Sequence, residues 1–140
     1  MGISEKLLDI REYKAEGYSP VTDYGGWRVA VLNYCDELLP CNIYKMQRHD
    51  ETDEVFVLLK GEFVLFIGEG EGKIEKIHAV KLEPNKIYNV KKGVWHTHTL
   101  SRDASVLIVE NRNTDSSNSP EVKLNESQRE LLMGLSHNLL

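Results

Sequence analysis

Gln47-Arg48-His49-Asp50-Glu51-Thr52-Asp53-Glu54, followed by Val55-Phe56-Val57-Leu58-Leu59-Lys60-Gly61, reads as two strands joined by a tight acidic turn. Side chains on a strand alternate faces, so Gln47 and His49 point the same way. Asp50 to Asp53 form the turn, and Glu54 opens the return strand with Phe56 and Leu58 on its own side. Some forty residues on, Gly93-Val94-Trp95-His96-Thr97-His98 puts two more imidazoles on one strand face. A sheet structure that gathers these strands around a common interior collects an amide oxygen, up to three imidazoles and a carboxylate. Two histidines with one carboxylate are the facial donor set of non-haem iron sites, and the mixed donors also suit manganese, nickel, cobalt or zinc. The expected metal-site residues are His49, Glu54 and His96, completed by Gln47 or His98. Taken singly, each of these is more often structural. The joint spacing is what points to a shared ligand.

Working outward, Trp27–Tyr34, Asn42–His49, Glu54–Leu59, Glu62–Ile67, Lys73–Leu82, Lys86–Val90, Val94–Leu100 and Ala104–Glu110 are short runs rich in β-branched and aromatic residues. Turn signals separate them at Lys60-Gly61, Gly68-Glu69-Gly70-Glu71-Gly72, Pro84-Asn85, Lys92-Gly93 and Arg102-Asp103. This is the pattern of an all-β antiparallel barrel or jelly roll rather than a βαβ fold. Ile3, Leu7, Leu8, Ile10 and Tyr13 recur at helical intervals and predict a short helix over 3–15. Gly17, Pro20, Gly25 and Gly26 predict loop. Residues 114–120 read as a polar linker. Beyond them, Asn125 with Gln128 is a capping box for a helix over 125–139 carrying Leu131, Leu132, Leu135 and Leu139 on one stripe. Trp27, Val29 and Val31 are expected in the core and Trp95 in outer packing or a subunit interface. His78 and His137 are expected at the surface, and Lys45 at the barrel mouth.

The chain has 140 residues, 41% of them apolar and 28% charged, which fits one soluble globular domain. A net charge of −5 is the wrong sign for a nucleic-acid surface. No apolar run reaches the length of a membrane span, and the charged start is not a signal-peptide core, so a cytoplasmic protein is expected. Cys35 and Cys41 lack a CxxC spacing and are expected as free thiols. The Gly68–Gly72 run precedes no helix and carries two acids, so it is a hairpin loop and not a phosphate cradle.

The same residues resemble the motifs of the cupin superfamily. Its first motif has two histidines two apart, then a glutamate and a glycine. Here Gln47 stands in the first histidine's place, His49 is the second, Glu54 the glutamate and Gly61 the glycine. The second motif's glycine, proline, glycine and histidine fall on Asn85, Lys91, Gly93 and His96, and Leu100 stands where many members have an asparagine. The resemblance covers roughly residues 42–110. It implies a small cupin barrel over about 27–110 within one domain, and a divalent transition metal. It also implies an enzyme of dioxygenase, isomerase, epimerase or lyase type on a small polar metabolite. The alternative is a non-catalytic module holding a small ligand with weak or no metal. A homodimer is expected from the amphipathic C-terminal helix and the strand edges that need cover.

Overall fold

The computed structural model describes residues 2–140. Ten strands form two five-stranded sheets, with one α-helix at the C-terminal end. The first sheet runs β1(Gly17–Tyr24), β2(Trp27–Asn33), β9(Ser105–Asn111), β4(Glu54–Lys60), β7(Tyr88–Val90). The second runs β10(Glu121–Lys123), β3(Lys45–Gln47), β8(Trp95–Leu100), β5(Phe63–Glu69), β6(Lys76–Lys81). All the strand pairings are antiparallel. No hydrogen-bonded ladder joins the two sheets among the described residues, so the expected barrel is a two-sheet sandwich rather than a closed ring. No helix is long and apolar enough to cross a membrane.

The alternating pattern of each strand fills two cores. Ala30, Leu32, Phe56, Leu58, Phe63, Leu65, Leu100, Val106 and Ile108 meet between the sheets. Val64, Phe66, Met46 and Trp95 turn to the outer face of the second sheet, where Leu132 of α1(Glu126–Leu139) covers them. Strand β5 is therefore buried on both faces, which is why Phe63-Val64-Leu65-Phe66 shows no alternation. Asn125 caps α1 with the expected capping box, and Gln128 also donates to the Ile74 carbonyl, fixing the helix on the sheet. Trp95 lies in that outer packing, as its strand parity requires.

Several expectations are corrected. The segment 3–15 makes a single turn at residues 5–7 and is otherwise irregular. Ile3, Leu7 and Leu8 are exposed and Ile10 is 89% exposed. A helix this short is not stable without a surface to bury its stripe, and none is offered. The presumed loop at 17–24 is β1, an edge strand with a register shift between Pro20 and Thr22, which accommodates the proline. Strand β2 has the opposite phase to that expected: Trp27 is 45% exposed, while Arg28, Ala30 and Leu32 point between the sheets. The linker ends in β10, which pairs with β3.

Two backbone positions explain parts of the motif. Gly61 has φ +77°, and an added Cβ would lie 2.5 Å from the Ala104 Cα. Asn85 has φ 68°, and asparagine tolerates this left-handed region where the motif has glycine. Gly61→Ala is expected to cost about 1–3 kcal/mol, since it adds both backbone strain and a clash with main-chain atoms. Urea unfolding checks this; an unchanged midpoint would rule out the contact as a constraint.

Candidate metal centre

Strand β4 places Glu54 first on the inner face of one sheet. The turn leading into it holds His49, and β8 brings His96 from the other sheet. All three are buried, at 7%, 6% and 5% exposure for His49, Glu54 and His96. Glu54 Oε1 lies 2.8 Å from His96 Nε2 and 3.2 Å from His49 Nε2, and the imidazole centroids are 5.2 Å apart. One donor atom from each residue falls within 4.8 Å of the others.

The outer nitrogens decide what the inner ones can be. His96 Nδ1 is 3.0 Å from the Val94 carbonyl, which can only accept, so Nδ1 carries a proton. His49 Nδ1 is 2.7 Å from Ser119 Oγ. The same hydroxyl lies 3.2 Å from Asn118 Oδ1, and when it donates there it accepts from His49 Nδ1. With both Nδ1 atoms in that protonated form, the one metal ligation requires, each ring turns the lone pair of Nε2 toward the Glu54 carboxylate. Lone pair against carboxylate at 2.8 Å is repulsive unless a positive charge intervenes. Either a proton or a metal ion provides it. Ligands about 2.0–2.2 Å from one ion stand about 3 Å apart at right angles, close to the two distances seen. Tethering of the outer nitrogen is also what fixes metal-binding histidines elsewhere. The donor set fits a divalent transition ion.

The charges reflect this arrangement. Burial raises the Glu54 pKa, but the hydrogen bonds and charges of His49 and His96 outweigh it, and the carboxyl is held well below its usual range. Burial pulls His49 down, yet contact with Glu54 wins and its pKa is raised.

His98 stands apart from this group. Its ring stacks on Phe63 with centroids 5.1 Å apart and tilts against Phe56 at 5.9 Å. Its Nδ1 is buried without a partner, and burial, then the charge of His96, lowers its pKa to about 4. It is a neutral ring on the pocket wall. Gln47 also lines the pocket, donating to the Ser119 carbonyl at 3.4 Å. Lys45 sits at the rim and pairs with Glu121 at 2.5 Å. His78 is exposed and pairs with Glu69 at 2.6 Å. Neither cysteine is bonded to the other, and Cys35 lies on the pocket wall.

The cavity over these groups measures about 440 Å³, within the range of small-molecule sites. Its far wall holds residues that the sequence reading missed. Arg28 on β2 faces Glu110 across the β2–β9 ladder, with Nη2 2.7 Å from Glu110 Oε2. Tyr18 on β1 donates to the same oxygen at 2.6 Å. Burial, then the neighbouring Glu54 charge, raises Glu110 against the opposing effect of Arg28 and Tyr18. Burial and Glu110 push the Tyr18 hydroxyl above its usual range. The available signal was a charge at the inner position of an otherwise apolar strand face, as Glu110 is beside Val106 and Ile108. The inverted phase of β2 hid Arg28. Ser119 carried no signal, being one more serine in a polar tract.

No family profile matches the sequence, and no curated protein matches it. Solved structures do. A cupin-2 domain protein from Shewanella frigidimarina has 16% identity and a TM-score of 0.53, over 71% of this chain and 85% of that one. The Streptomyces nucleoside dehydratase Pac13, in a variant bound to uridine, has 10% identity and a TM-score of 0.55 over 84% and 89%. QdtA, a sugar 3,4-ketoisomerase from Thermoanaerobacterium thermosaccharolyticum in complex with TDP, has 14% identity and a TM-score of 0.53 over 79% and 73%. The chain therefore has the fold of the cupin superfamily, as the motif resemblance implies.

The two shifts have opposite signs with pH. Glu54, depressed in the fold, adds stability that is complete above the ordinary carboxyl value of 4.5 and is lost as pH falls below it. His49, raised in the fold, adds stability that is complete below 6.5 and is lost as pH rises through its elevated value. Chelator-treated protein is expected to be most stable between these limits. Metal binding should instead strengthen as pH rises, because the ion displaces the proton from His49. Urea midpoints from pH 3 to 8, with and without metal, check both slopes. A metal affinity independent of pH would contradict the assignment.

Proposed function

We propose that this chain is a metal-dependent cupin enzyme that acts on a small polar metabolite. His49, Glu54 and His96 hold a divalent transition ion. The observation that carries the reading is the convergence of His49 Nε2 and His96 Nε2 on one buried Glu54 oxygen, at 3.2 and 2.8 Å. Gln47 is near enough to the pocket to complete the ligand shell, in the place of the superfamily's first histidine. Isomerase or lyase chemistry is favoured over the rest of the cupin range. Its support is analogy of fold with a ketoisomerase and a dehydratase, which is weaker than the geometric argument.

In such chemistry the ion would act as a Lewis acid on a carbonyl or hydroxyl oxygen of the substrate. The chain's own residues do the rest. Ser119 and the Val94 carbonyl keep both imidazoles in one tautomer and one orientation. The neutral His98 ring, backed by Phe56 and Phe63, joins Leu32, Leu38 and Ile108 in an apolar wall that limits water and strengthens electrostatic contacts within the site. Glu110, outside the proposed ligand set and raised by burial, is the carboxylate available to take up a proton on the substrate side. The alternative, a binding module without turnover, would keep the pocket and dispense with the ion.

Elemental analysis of purified protein separates the two. About one transition ion per chain is expected, and it should be lost in His49→Ala and His96→Ala. Gln47→Ala should retain most of it. Ser119→Ala should weaken metal affinity about 10- to 100-fold by freeing the His49 ring. Equal metal content in every variant, or none in the parent protein, would overturn the centre.

A homodimer accompanies this reading. Ile3, Leu7, Leu8 and Ile10 are exposed on the N-terminal segment. Beside that segment a groove is lined by Val21, Val29, Val31 and Leu107 on the outer face of the first sheet. Two copies could cover each other's apolar surface there. Sedimentation at micromolar concentration should give twice the chain mass; a monomer would count against it.

A further inference from the structure

The far wall of the pocket bears on what enters it. Among the described residues, four carboxylates line the cavity, those of Glu54, Glu110, Asp115 and Glu121, against two cations, Arg28 and Lys45. Neither cation is available. Arg28 Nη2 donates to Glu110 Oε2 at 2.7 Å and to the Thr114 carbonyl at 3.2 Å. Its Nη1 donates to the Arg112 carbonyl at 3.3 Å, and its Nε is buried without a hydrogen-bond partner. Lys45 is held by Glu121 at 2.5 Å. A divalent ion would bring the two counts to balance with nothing left over. The remaining uncharged polar lining includes hydroxyls and an amide, at Thr97, Thr114, Ser116, Ser119 and Gln47, set beside the apolar side chains of Leu32, Leu38 and Ile108. Tyr18 and Arg28 both bond to Glu110 Oε2, so the carboxylate is fixed with its other oxygen spared by these two donors.

We propose that the Tyr18–Arg28–Glu110 wall is a specificity element that selects an uncharged, hydroxyl-bearing substrate and rejects phosphate esters. The physical reason is that anion recognition by arginine needs free, forked N–H donors, and Arg28 has engaged Nη1 and Nη2 with the protein while its Nε is buried. A dianionic phosphate entering the cavity would find Arg28 and Lys45 already held by Glu110 and Glu121, and would have to displace a carboxylate to reach either cation. A substrate hydroxyl instead donates to Glu110, and a good hydrogen bond to a charged group discriminates strongly against a compound lacking it. Glu110 here positions the substrate, and Arg28 and Tyr18 position Glu110. This rests on the small-metabolite reading above and narrows its substrate class.

The test uses protein as purified, with metal content measured separately so that failure of the metal centre is scored on its own. The protein is incubated with an equimolar pool of pentoses, hexoses, hexuloses and nucleosides, together with the phosphate esters of each. Retained compounds are identified by mass spectrometry. At least tenfold enrichment of neutral over phosphorylated forms is expected. Inorganic pyrophosphate is then titrated calorimetrically into the parent protein, Glu110→Gln and Glu121→Gln. The parent should show no binding at millimolar concentration. Each variant frees one cation and should gain affinity at least tenfold. Glu121 is exposed, so its variant leaves the core intact and remains informative if Glu110→Gln unfolds. Preferential retention of phosphorylated compounds, retention of no neutral compound, or pyrophosphate binding to the parent would each overturn the proposal. So would a folded pair of variants that gain nothing.

Discussion

The structure turns on the contact between one buried carboxylate and two imidazoles. Glu54 comes from the first sheet, His96 from the second, and His49 from the turn between them. An isolated carboxylate at this depth would lose several kcal/mol of hydration, so it stays ionised only with partners in place. Each imidazole is in turn held from behind, one by a main-chain carbonyl and one by Ser119. The orientation of both rings follows from these two contacts on their outer nitrogens. The sandwich fold serves mainly to bring these distant strands into register: Gln47 pairs with His96 across the β3–β8 ladder, and Glu54 pairs with Val90 across β4–β7.

The second polar group, Tyr18–Arg28–Glu110, solves the opposite problem. It brings charge into the same cavity and neutralises it locally. A buried ion pair of this kind is weak evidence for stability, since its desolvation offsets much of the attraction. The three side chains come from β1, β2 and β9 and line the same cavity as the histidine group.

Much of this was legible in the sequence where a short-range rule applied. The spacing of His49, Glu54 and Gly61, and of Gly93 and His96, gave three of the convergent donors, because strand alternation is a rigid rule once a turn is located. The capping box at Asn125 and Gln128 placed the C-terminal helix within a residue. The failures have physical causes. The 3–15 pattern has a helical period but no surface to bury its stripe, and period alone does not stabilise a short helix. In β2, both faces carry aliphatic side chains, so Val29 and Val31 were indistinguishable from Ala30 and Leu32. A one-residue error in phase then moved Arg28 from the pocket to the solvent. Ser119 depends on a return of the chain across seventy residues of sequence, which no local pattern encodes.

The division of the three donors between facing layers has a mechanical consequence. A cation gripped by all of them would rivet the two halves of the sandwich together at one end, where no main-chain ladder crosses the gap. Occupancy would then set how readily that end breathes, since a ligand that binds only the closed form stabilises it in proportion to the logarithm of its concentration. The proposed metal site and the clasp of the fold would be the same few atoms.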